Sequence, residues 1–299
     1  MDRLRSMSVF VGVAETGGFA PAARRLGMSP PSVTRAVAEL EGHLGCRLLH
    51  RTTRSVRLTE AGERYLADCR QILTAIEEAE RQAAGRHAEP RGLVSVTGSV
   101  MFGRVVLAPI LSGLLDRYPE ITLSSLFVDR VVHLVEEGID VAVRIAELPD
   151  SALKATRVGA VRRVLCAAPG YLAERGRPET PADLAGHEII DFVNMKRGGE
   201  WSFDSGGKAT SIRPASRLHL NTAGSAIAAA LDGRGITRLL SYMITDELRA
   251  GSLELLLEEH EPAPVPVHVV HKEPGQTSAR VRAVVDHLVE ALRGHPALV

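Results

Sequence analysis

The sequence of 299 residues has few cysteines and few aromatic residues. Its three cysteines, Cys46, Cys69 and Cys166, are far apart and lack CxxC or CxxH spacing, which argues against a zinc site or a disulfide framework. Cys166 lies in the apolar run VLCAAP, so we predict a buried core residue. A redox sensor would instead need an exposed thiol of low pKa near a resolving partner. Trp201 is the only tryptophan, and this composition disfavours a pocket built by aromatic stacking.

Segments and motifs that would define other protein classes are also missing. No apolar run approaches the roughly 20 residues of a membrane span, and the opening MDRLRSMSVF lacks the apolar segment of a signal peptide. We therefore expect a cytoplasmic protein with no membrane partner. The sequence contains no GxSxG, HExxH or Walker motif, and the GRG at 233–235 is too short to indicate a nucleotide site. We expect no catalytic activity, no metal and no cofactor.

The composition is otherwise that of a globular protein with an uneven distribution of charge. Hydrophobic residues make up 45% and charged residues 24%, and the length allows two or three domains. The formal net charge is zero, yet residues 1–57 hold nine arginines against four acidic residues. Basic charge is thus concentrated in the amino-terminal part, as in a domain that meets a phosphate backbone.

Residues 18–57 have the spacing of two helices joined by a tight turn. The first helix ends at Gly27, and Ser29 followed by Pro30 is typical of the cap and first turn of the second helix. Inward-facing positions recur at helical spacing in this second helix. They are Val33, Val37, Leu40 and Leu44, which leaves Pro31, Thr34, Arg35 and Ala38 on the outer face.

Other elements surround this pair of helices. Residues 2–16 carry apolar side chains at helical spacing and predict a supporting helix. After Gly45, the strand-like segments CRLLHR and SVRLT flank a polar turn at 51–54, which predicts a basic hairpin, or wing. In the wing, Arg51 and Arg54 are suited to a narrow minor groove, although both could simply be solvated.

A long helix is predicted from Thr59 to about residue 84, followed by a hinge at 85–92. Its apolar positions follow the alternating spacing of three and four residues found in coiled coils. This seam predicts a partner helix, and the alternative is packing against its own domain. The seam consists of Leu66, Cys69, Leu73, Ile76, Glu80 and Ala83, and only Glu80 interrupts its apolar character.

Beyond the hinge, strand and helix patterns alternate, which predicts parallel sheets flanked by helices. The expected strands are 93–98, 121–128, 139–145, 162–169, 188–193, 211–220, 235–240 and 265–272, and the expected helices include 102–118, 131–138 and 278–293.

Ligands of such sheets bind beyond the carboxyl ends of the strands. Ser99 and Thr222 are helix-start hydroxyls that could bind an anionic or phenolic effector, or could be ordinary caps. Arg144 could be the counter-charge of an acidic effector, or could pair with Asp140 or Glu147. The other positions delivered to this edge are Val100, Met101, Asn194, Met195 and Asn221.

The amino-terminal part contains the segment FxxVAETGGFAPAARRLGMSPPSVTRAVAELEGHLGCRLLHRTTRSVRLTEAGE. This segment resembles the winged helix-turn-helix of the LysR-type transcriptional regulators. The stretches DRVVHLVEEGIDVAVRI and GITRLLSYMITDELRAGSL extend the resemblance over nearly the whole chain. It implies an α/β protein with a winged helix-turn-helix at 1–58, a dimerising linker helix and hinge at 59–90, and an effector-binding domain at 91–299. In the family, this last domain resembles periplasmic binding proteins. Subdomain I would comprise about 91–161 and 266–299, and subdomain II about 162–265.

The resemblance also implies partners and sites. The partners are double-stranded promoter DNA, a second copy in a homodimer or homotetramer, a small-molecule effector and RNA polymerase. The base-reading positions of the family match Pro30, Pro31, Ser32, Thr34 and Arg35, and the wing positions match Arg51, Thr53 and Arg54. Pro30 stands where many relatives have glutamine, and its side chain cannot donate a hydrogen bond. A secreted solute-binding protein and a small-molecule enzyme are the rival interpretations, but neither accounts for a basic wing.

Overall fold

The computed structural model describes residues 2–51, 56–83, 89–149, 153–192, 199–207, 209–272 and 278–299, with only the backbone at 51, 67, 71, 77–79 and 81–83. The chain divides into two compact units, Met1–Ala88 and Glu89–Val299. No helix in the described residues is both long and apolar enough to span a membrane.

The first unit is a helical domain with a short hairpin. Its elements are α1 (Arg3–Thr16), α2 (Phe19–Leu26), α3 (Pro30–Leu44), β1 (Leu49–Arg51), β2 (Val56–Leu58) and α4 (Glu60–Ala83). The predicted capping is confirmed, since the Ser29 side chain accepts a hydrogen bond from the amide of Ser32, and Gly27 and Gly45 end their helices in the left-handed conformation. β1 and β2 pair antiparallel, as expected for a wing.

The core of this unit corrects two expectations. Val33, Val37 and Leu40 are buried as predicted, but Leu44 is 37% exposed because it lies in the last turn of α3, beyond the packed part of the helix. Leu66 and Cys69 belong to the core of the unit rather than to a free seam. The first part of α4 therefore packs on its own domain, and burial raises the pKa of the Cys69 thiol to about 11.

An ion-pair cluster joins three helices of the unit. Glu15 of α1 accepts hydrogen bonds from Arg25 of α2 at 2.5 Å and from Arg70 of α4 at 3.1 Å. Burial alone would raise the pKa of Glu15, but the bonds from the two arginines outweigh it, so that the pKa lies below its usual value. The cluster fixes α1 and α2 against the start of α4.

The second unit contains two five-stranded sheets and a hairpin. Its strands are β3 (Gly92–Gly98), β4 (Ile121–Phe127), β5 (Val141–Ile145), β6 (Lys154–Val161), β7 (Arg163–Ala167), β8 (Ile189–Phe192), β9 (Trp201–Asp204), β10 (Ala209–Ile212), β11 (Ser216–Leu220), β12 (Ile236–Leu240), β13 (Glu254–Leu256) and β14 (Val265–His271). Its helices are α5 (Val100–Phe102), continued by a π-helical turn at Gly103–Leu107 into α6 (Ala108–Arg117), then α7 (Pro169–Arg175), α8 (Ala223–Leu231), α9 (Thr245–Arg249) and α10 (Ala279–Arg293).

The sheets are mixed, not purely parallel as predicted. The first has the order β4-β3-β5-β14-β6, and the second has the order β11-β8-β12-β7-β13. β14 runs antiparallel to both of its neighbours, and β7 does the same in the second sheet. The reason is the connection between the sheets. The chain passes from β6 of the first sheet directly into β7 of the second, and it returns to the first sheet through β14. Neither connection contains the crossover helix that neighbouring strands need in order to run parallel.

Residues 131–138 form a turn and not the predicted helix. Two hydrogen bonds from Arg130 to the Glu137 carboxylate, at 2.8 and 2.5 Å, close the turn. The bond from Arg130 lowers the pKa of Glu137 to about 2. Burial follows a two-residue alternation that is incompatible with one face of a helix. Val132 and Leu134 are buried, whereas Val131 and Val135 are exposed.

The single strand predicted at 211–220 is two strands. β10 pairs with β9 in a hairpin, whereas β11 pairs in parallel with β8 of the main sheet. Pro214 lies between them, where it cannot donate a hydrogen bond to either ladder. The hairpin places Trp201 on one face of the second sheet, in the same hydrophobic cluster as Leu165 and Ile189.

Two connections join the sheets, and an ion-pair cluster links them. Arg162 lies between β6 and β7, and its guanidinium donates two hydrogen bonds of 2.7 Å to Glu261, which lies between β13 and β14. A third bond of 3.1 Å reaches Glu258.

Cys166 is buried in the core of the second sheet as predicted, and burial raises the pKa of its thiol to about 12, which disfavours the reactive thiolate.

Candidate DNA-binding and effector sites

The outer face of α3 carries the residues predicted to read bases. Pro30, Pro31, Ser32, Thr34 and Arg35 are all exposed. Two of their hydroxyls already bind within the helix, because Thr34 donates to the carbonyl of Pro30 at 3.0 Å and Ser32 shares a hydrogen bond of 2.8 Å with the Ser29 hydroxyl.

Arg35 differs from these neighbours. Within the described part of the chain, its guanidinium has no hydrogen-bond or ion-pair partner. Five N–H donors in a planar fork thus project from the outer face of α3, and this geometry matches guanine edges and phosphate oxygens.

The wing is described only at its base. Arg51 pairs with Val56 across the hairpin through its backbone, while Thr53 and Arg54 lie outside the described residues. Thr59, at the end of β2, donates its hydroxyl to the carbonyl of Arg47 and accepts the amide of Gly62 at 2.9 Å. The base of the wing is therefore joined to the first turn of α4.

Sequence reasoning missed Glu41, which connects α3 to the wing. One oxygen of its carboxylate accepts the amides of Leu48 and Leu49, at 2.9 and 3.1 Å. Both leucines are buried, so these amides have no access to water. Because its partners are not helical neighbours at i+3 or i+4, spacing alone could not have identified this contact.

In the second unit, Ser99 and Thr222 differ in role. Thr222 caps α8, accepting the amide of Ser225 at 3.2 Å and donating to its hydroxyl at 2.7 Å. Ser99 makes no such side-chain cap, and its buried hydroxyl has no hydrogen-bond partner in the described residues. Asn221, Thr222 and Val100 are exposed.

Arg144 donates to the carbonyl of Val132 at 2.7 Å, rather than pairing with Asp140 or Glu147. Asp140 instead accepts the amide of Ser95 at 2.8 Å. Asn194 and Met195 lie outside the described residues.

Tyr242 is a second residue that sequence reasoning missed. It is 2% exposed, and its ring meets Phe102 edge-on at 5.0 Å. Burial raises the pKa of the phenol, and apart from the nearby Ser99 hydroxyl its oxygen has no hydrogen-bond partner in the described residues. Met101 and Met243 each pack against the cores of both sheets. These side chains thus meet where the two sheets of the unit adjoin.

A groove of about 650 Å³ lies beside this junction. Of the predicted effector residues that the structure describes, Met101 alone lines the groove, together with Arg104, Ile227, Leu231, Tyr242 and Arg249. Among the described residues, no group of three or more histidine, cysteine or acidic side chains is arranged to hold a metal ion.

Comparisons with known proteins assign both units. Residues 4–63 match the family described as bacterial regulatory helix-turn-helix protein, lysR family, and residues 87–293 match the LysR substrate binding domain. The chain is 33% identical over 291 residues to the HTH-type transcriptional activator AaeR of Escherichia coli K12, covering 97% of this chain and 94% of that protein. It is also 33% identical over 300 residues to an HTH-type transcriptional repressor of Pseudomonas aeruginosa, covering 100% of this chain and 95% of that one.

A solved structure has a similar fold along nearly the whole chain. CrgA, a LysR-type transcriptional regulator from Neisseria meningitidis, is 32% identical, with a TM-score of 0.63, over 97% of this chain and 99% of that chain. The helix-turn-helix with its hairpin, followed by paired α/β sheets, is thus the architecture of the family along the whole chain. The chain belongs to the LysR family, whose members are transcriptional regulators with a DNA-binding helix-turn-helix domain and an effector-binding domain.

Proposed function

We propose that the outer face of α3 enters the major groove of promoter DNA, and that the wing with Arg51, Thr53 and Arg54 contacts the adjacent minor groove. The observation that carries the proposal is the exposed guanidinium of Arg35, which has no partner in the described residues. Pro30 and Pro31 contribute only apolar contact, while Ser32 and Thr34 retain oxygen lone pairs that can accept from base edges. Footprinting on the DNA upstream of its own gene tests the proposal: protected half-sites separated by whole helical turns support a dimeric reader. The absence of specific protection anywhere in a genomic selection would contradict it.

Arg35→Ala is expected to weaken specific DNA binding by about 10-fold to 100-fold, the range for losing one bidentate base contact. If Arg35 binds only phosphate, affinity falls similarly on all DNA sequences. The slope of the logarithm of the binding constant against the logarithm of the salt concentration then decreases in magnitude by about 1. Fluorescence anisotropy at several stated salt concentrations separates the two cases. Arg64→Ala is the matched control, because it removes an exposed arginine from α4 of the same unit. Equal losses of DNA affinity in the two variants would show that Arg35 contributes only its positive charge.

We infer that α4 pairs with the same helix of a second copy. Beyond the buried Leu66 and Cys69, the helix presents Ile72, which is 40% exposed, and the partly buried Leu73 and Ile76. An apolar stripe that continues past the end of its own domain core favours a partner helix.

Ile76→Glu is expected to convert the dimer into a monomer at micromolar concentration, because it places a charge in the proposed interface. Sedimentation velocity measures the change. Ala75→Glu, on an exposed neighbouring position, adds the same charge and should leave the dimer intact. A dimer that survives Ile76→Glu places the interface elsewhere.

For the effector, we propose a site between the two subdomains. Subdomain I comprises about 91–161 and 266–299, and subdomain II comprises about 162–265. The buried hydroxyls of Ser99 and Tyr242 support it: they lie near each other and have no other partner in the described residues, and buried polar groups without full partners are rare. Regulation requires that the effector bind two arrangements of the protein with unequal affinity. A change in the arrangement of dimers within a tetramer, altering DNA bending and access of RNA polymerase, is part of this proposal.

A further inference from the structure

Arg238 lies in a row of charged side chains across the second sheet. His219 of β11 is directly opposite Asp191 of β8. The parallel register of β12 with β8, Ile236 with Ile189 and Thr237 with Ile190, places Arg238 beside Asp191 in the same row. Residues two apart share a face of a strand, so Arg238 lies on the face of Ile236.

This face is the one covered by Trp201. Ile189, Ile236 and Trp201 belong to one cluster, whereas α8 packs with Ile190 and Leu239 on the opposite face. The row therefore shares no residue with the effector site proposed above. Arg163 of β7 is opposite Leu240 and so lies on the same face, diagonal to Arg238.

The surroundings of Arg238 lack the partner that its charge requires. The guanidinium carbon lies 4.9 Å from the centre of the Trp201 ring, which is 2% exposed. In the described residues, its N–H groups have no hydrogen-bond or ion-pair partner. Burial, together with the nearby charge of Arg163, lowers the pKa of Arg238 to about 10. A guanidinium that is largely buried without a hydrogen-bonded anion is destabilising for the protein alone.

Asp191 does not supply this anion by direct contact. One of its carboxylate oxygens lies 3.2 Å from Nδ1 of His219, and its charge acts on Arg238 only through space. The indole ring offers the guanidinium no oxygen or nitrogen acceptor, so its N–H groups remain available to a ligand, and such donors bind carboxylates and phosphates in bidentate fashion.

We propose that Arg238, backed by Trp201 and assisted by Arg163, binds a small oxyanion, either a carboxylate or a phosphate group. The site lies in subdomain II and goes beyond the effector site between the subdomains. The ligand places negative charge beside the two guanidiniums and forms the hydrogen bonds that Arg238 lacks. The Asp191–His219 pair lies at one end of the row of side chains that contains Arg238.

Trp201 is the only tryptophan of the chain, so its emission reports directly on this site. The full-length protein is titrated with sodium acetate and, separately, with inorganic phosphate, at constant pH and ionic strength. A saturable change in emission with half-saturation in the millimolar range is expected for one of the anions. A response to acetate alone assigns the site to carboxylates, and a response to phosphate alone assigns it to phosphates. No saturable response to either anion overturns the proposal.

Variants separate binding at Arg238 from general salt effects. Arg238→Gln should raise the half-saturating concentration at least tenfold, and Arg163→Gln, at an exposed position, should raise it several-fold without a folding defect. Arg234→Gln is the control: this exposed arginine pairs with Asp232 just before β12, and its titration should match that of the wild type. Without added oxyanion, the Tm of Arg238→Gln should be no lower than that of the wild type, because the substitution removes a buried charge that has no hydrogen-bonded anion. Unchanged titrations in both Arg238→Gln and Arg163→Gln would overturn the assignment.

Discussion

Gly62→Ala is expected to destabilise the DNA-binding unit by at least about 3 kcal/mol and to abolish specific DNA binding. A Cβ atom at position 62 would lie 2.0 Å from the carbonyl oxygen of Leu48 and 2.9 Å from its carbonyl carbon. Both are backbone atoms and cannot move aside as the end of a flexible side chain could. Forced overpacking typically costs about 1–3 kcal/mol, and a backbone clash this short lies at or beyond the upper end.

Neighbouring hydrogen bonds hold Gly62 and Leu48 together. The Leu48 carbonyl accepts the amide of Thr59 at 2.9 Å, and the Thr59 hydroxyl accepts the amide of Gly62. Relief of the clash would therefore break the contact between the wing and the first turn of α4.

Gly42→Ala is the matched control for this prediction. Gly42 also lies inside a helix of the same unit, but a Cβ there meets no atom within 4 Å. Alanine should stabilise α3 by up to about 1 kcal/mol because it has the higher helix propensity. Thermal and urea unfolding, read by circular dichroism, compare the two variants. Equal stabilities of Gly62→Ala and Gly42→Ala would show that the close approach of Leu48 is not a constraint in solution.

The helices of the first unit were predictable from sequence because local signals agree there. Ser29 and Pro30 start α3 while Gly27 and Gly45 terminate helices, and each signal acts within a few residues of the chain. The apolar spacing agrees with these limits over most of α3. The exposure of Leu44 escaped prediction, since periodicity indicates a face but not where the neighbouring core ends.

In the second unit, long-range pairing overrode local patterns. Residues 131–138 have helix-compatible spacing, yet the bond between Arg130 and Glu137 closes a turn instead. The antiparallel direction of β14 depends on the order in which the chain visits two sheets, and alternation of strands and helices does not encode that order.

The candidate sites divide in the same way. The exposed face of α3 follows from helical spacing, so the exposure of Arg35 was predictable. The roles of Glu41, Tyr242 and Arg238 were not, because each depends on groups brought close by folding: buried amides, a hydroxyl across a junction, and an indole ring beneath a guanidinium.

Glu41→Ala is expected to cost about 2–4 kcal/mol of stability and to weaken DNA binding. It would leave the amides of Leu48 and Leu49 buried without an acceptor, and each such group costs about 1–3 kcal/mol. Because β1 begins at Leu49, losing these bonds also loosens the wing relative to α3, so both parts of the DNA-binding surface lose their mutual orientation.

Glu39→Ala provides the control, since it removes the same charge from the same helix at an exposed position with no partner in the described residues. Deleting a negative charge should by itself favour DNA binding slightly. Glu39→Ala is therefore expected to bind DNA at least as well as the wild type, whereas Glu41→Ala binds it less well. Glu41→Gln keeps a carbonyl oxygen as acceptor and should recover at least half of the lost stability. If Glu41→Ala matches Glu39→Ala in both unfolding and DNA binding, then the two amides find another acceptor and the carboxylate does not orient the wing.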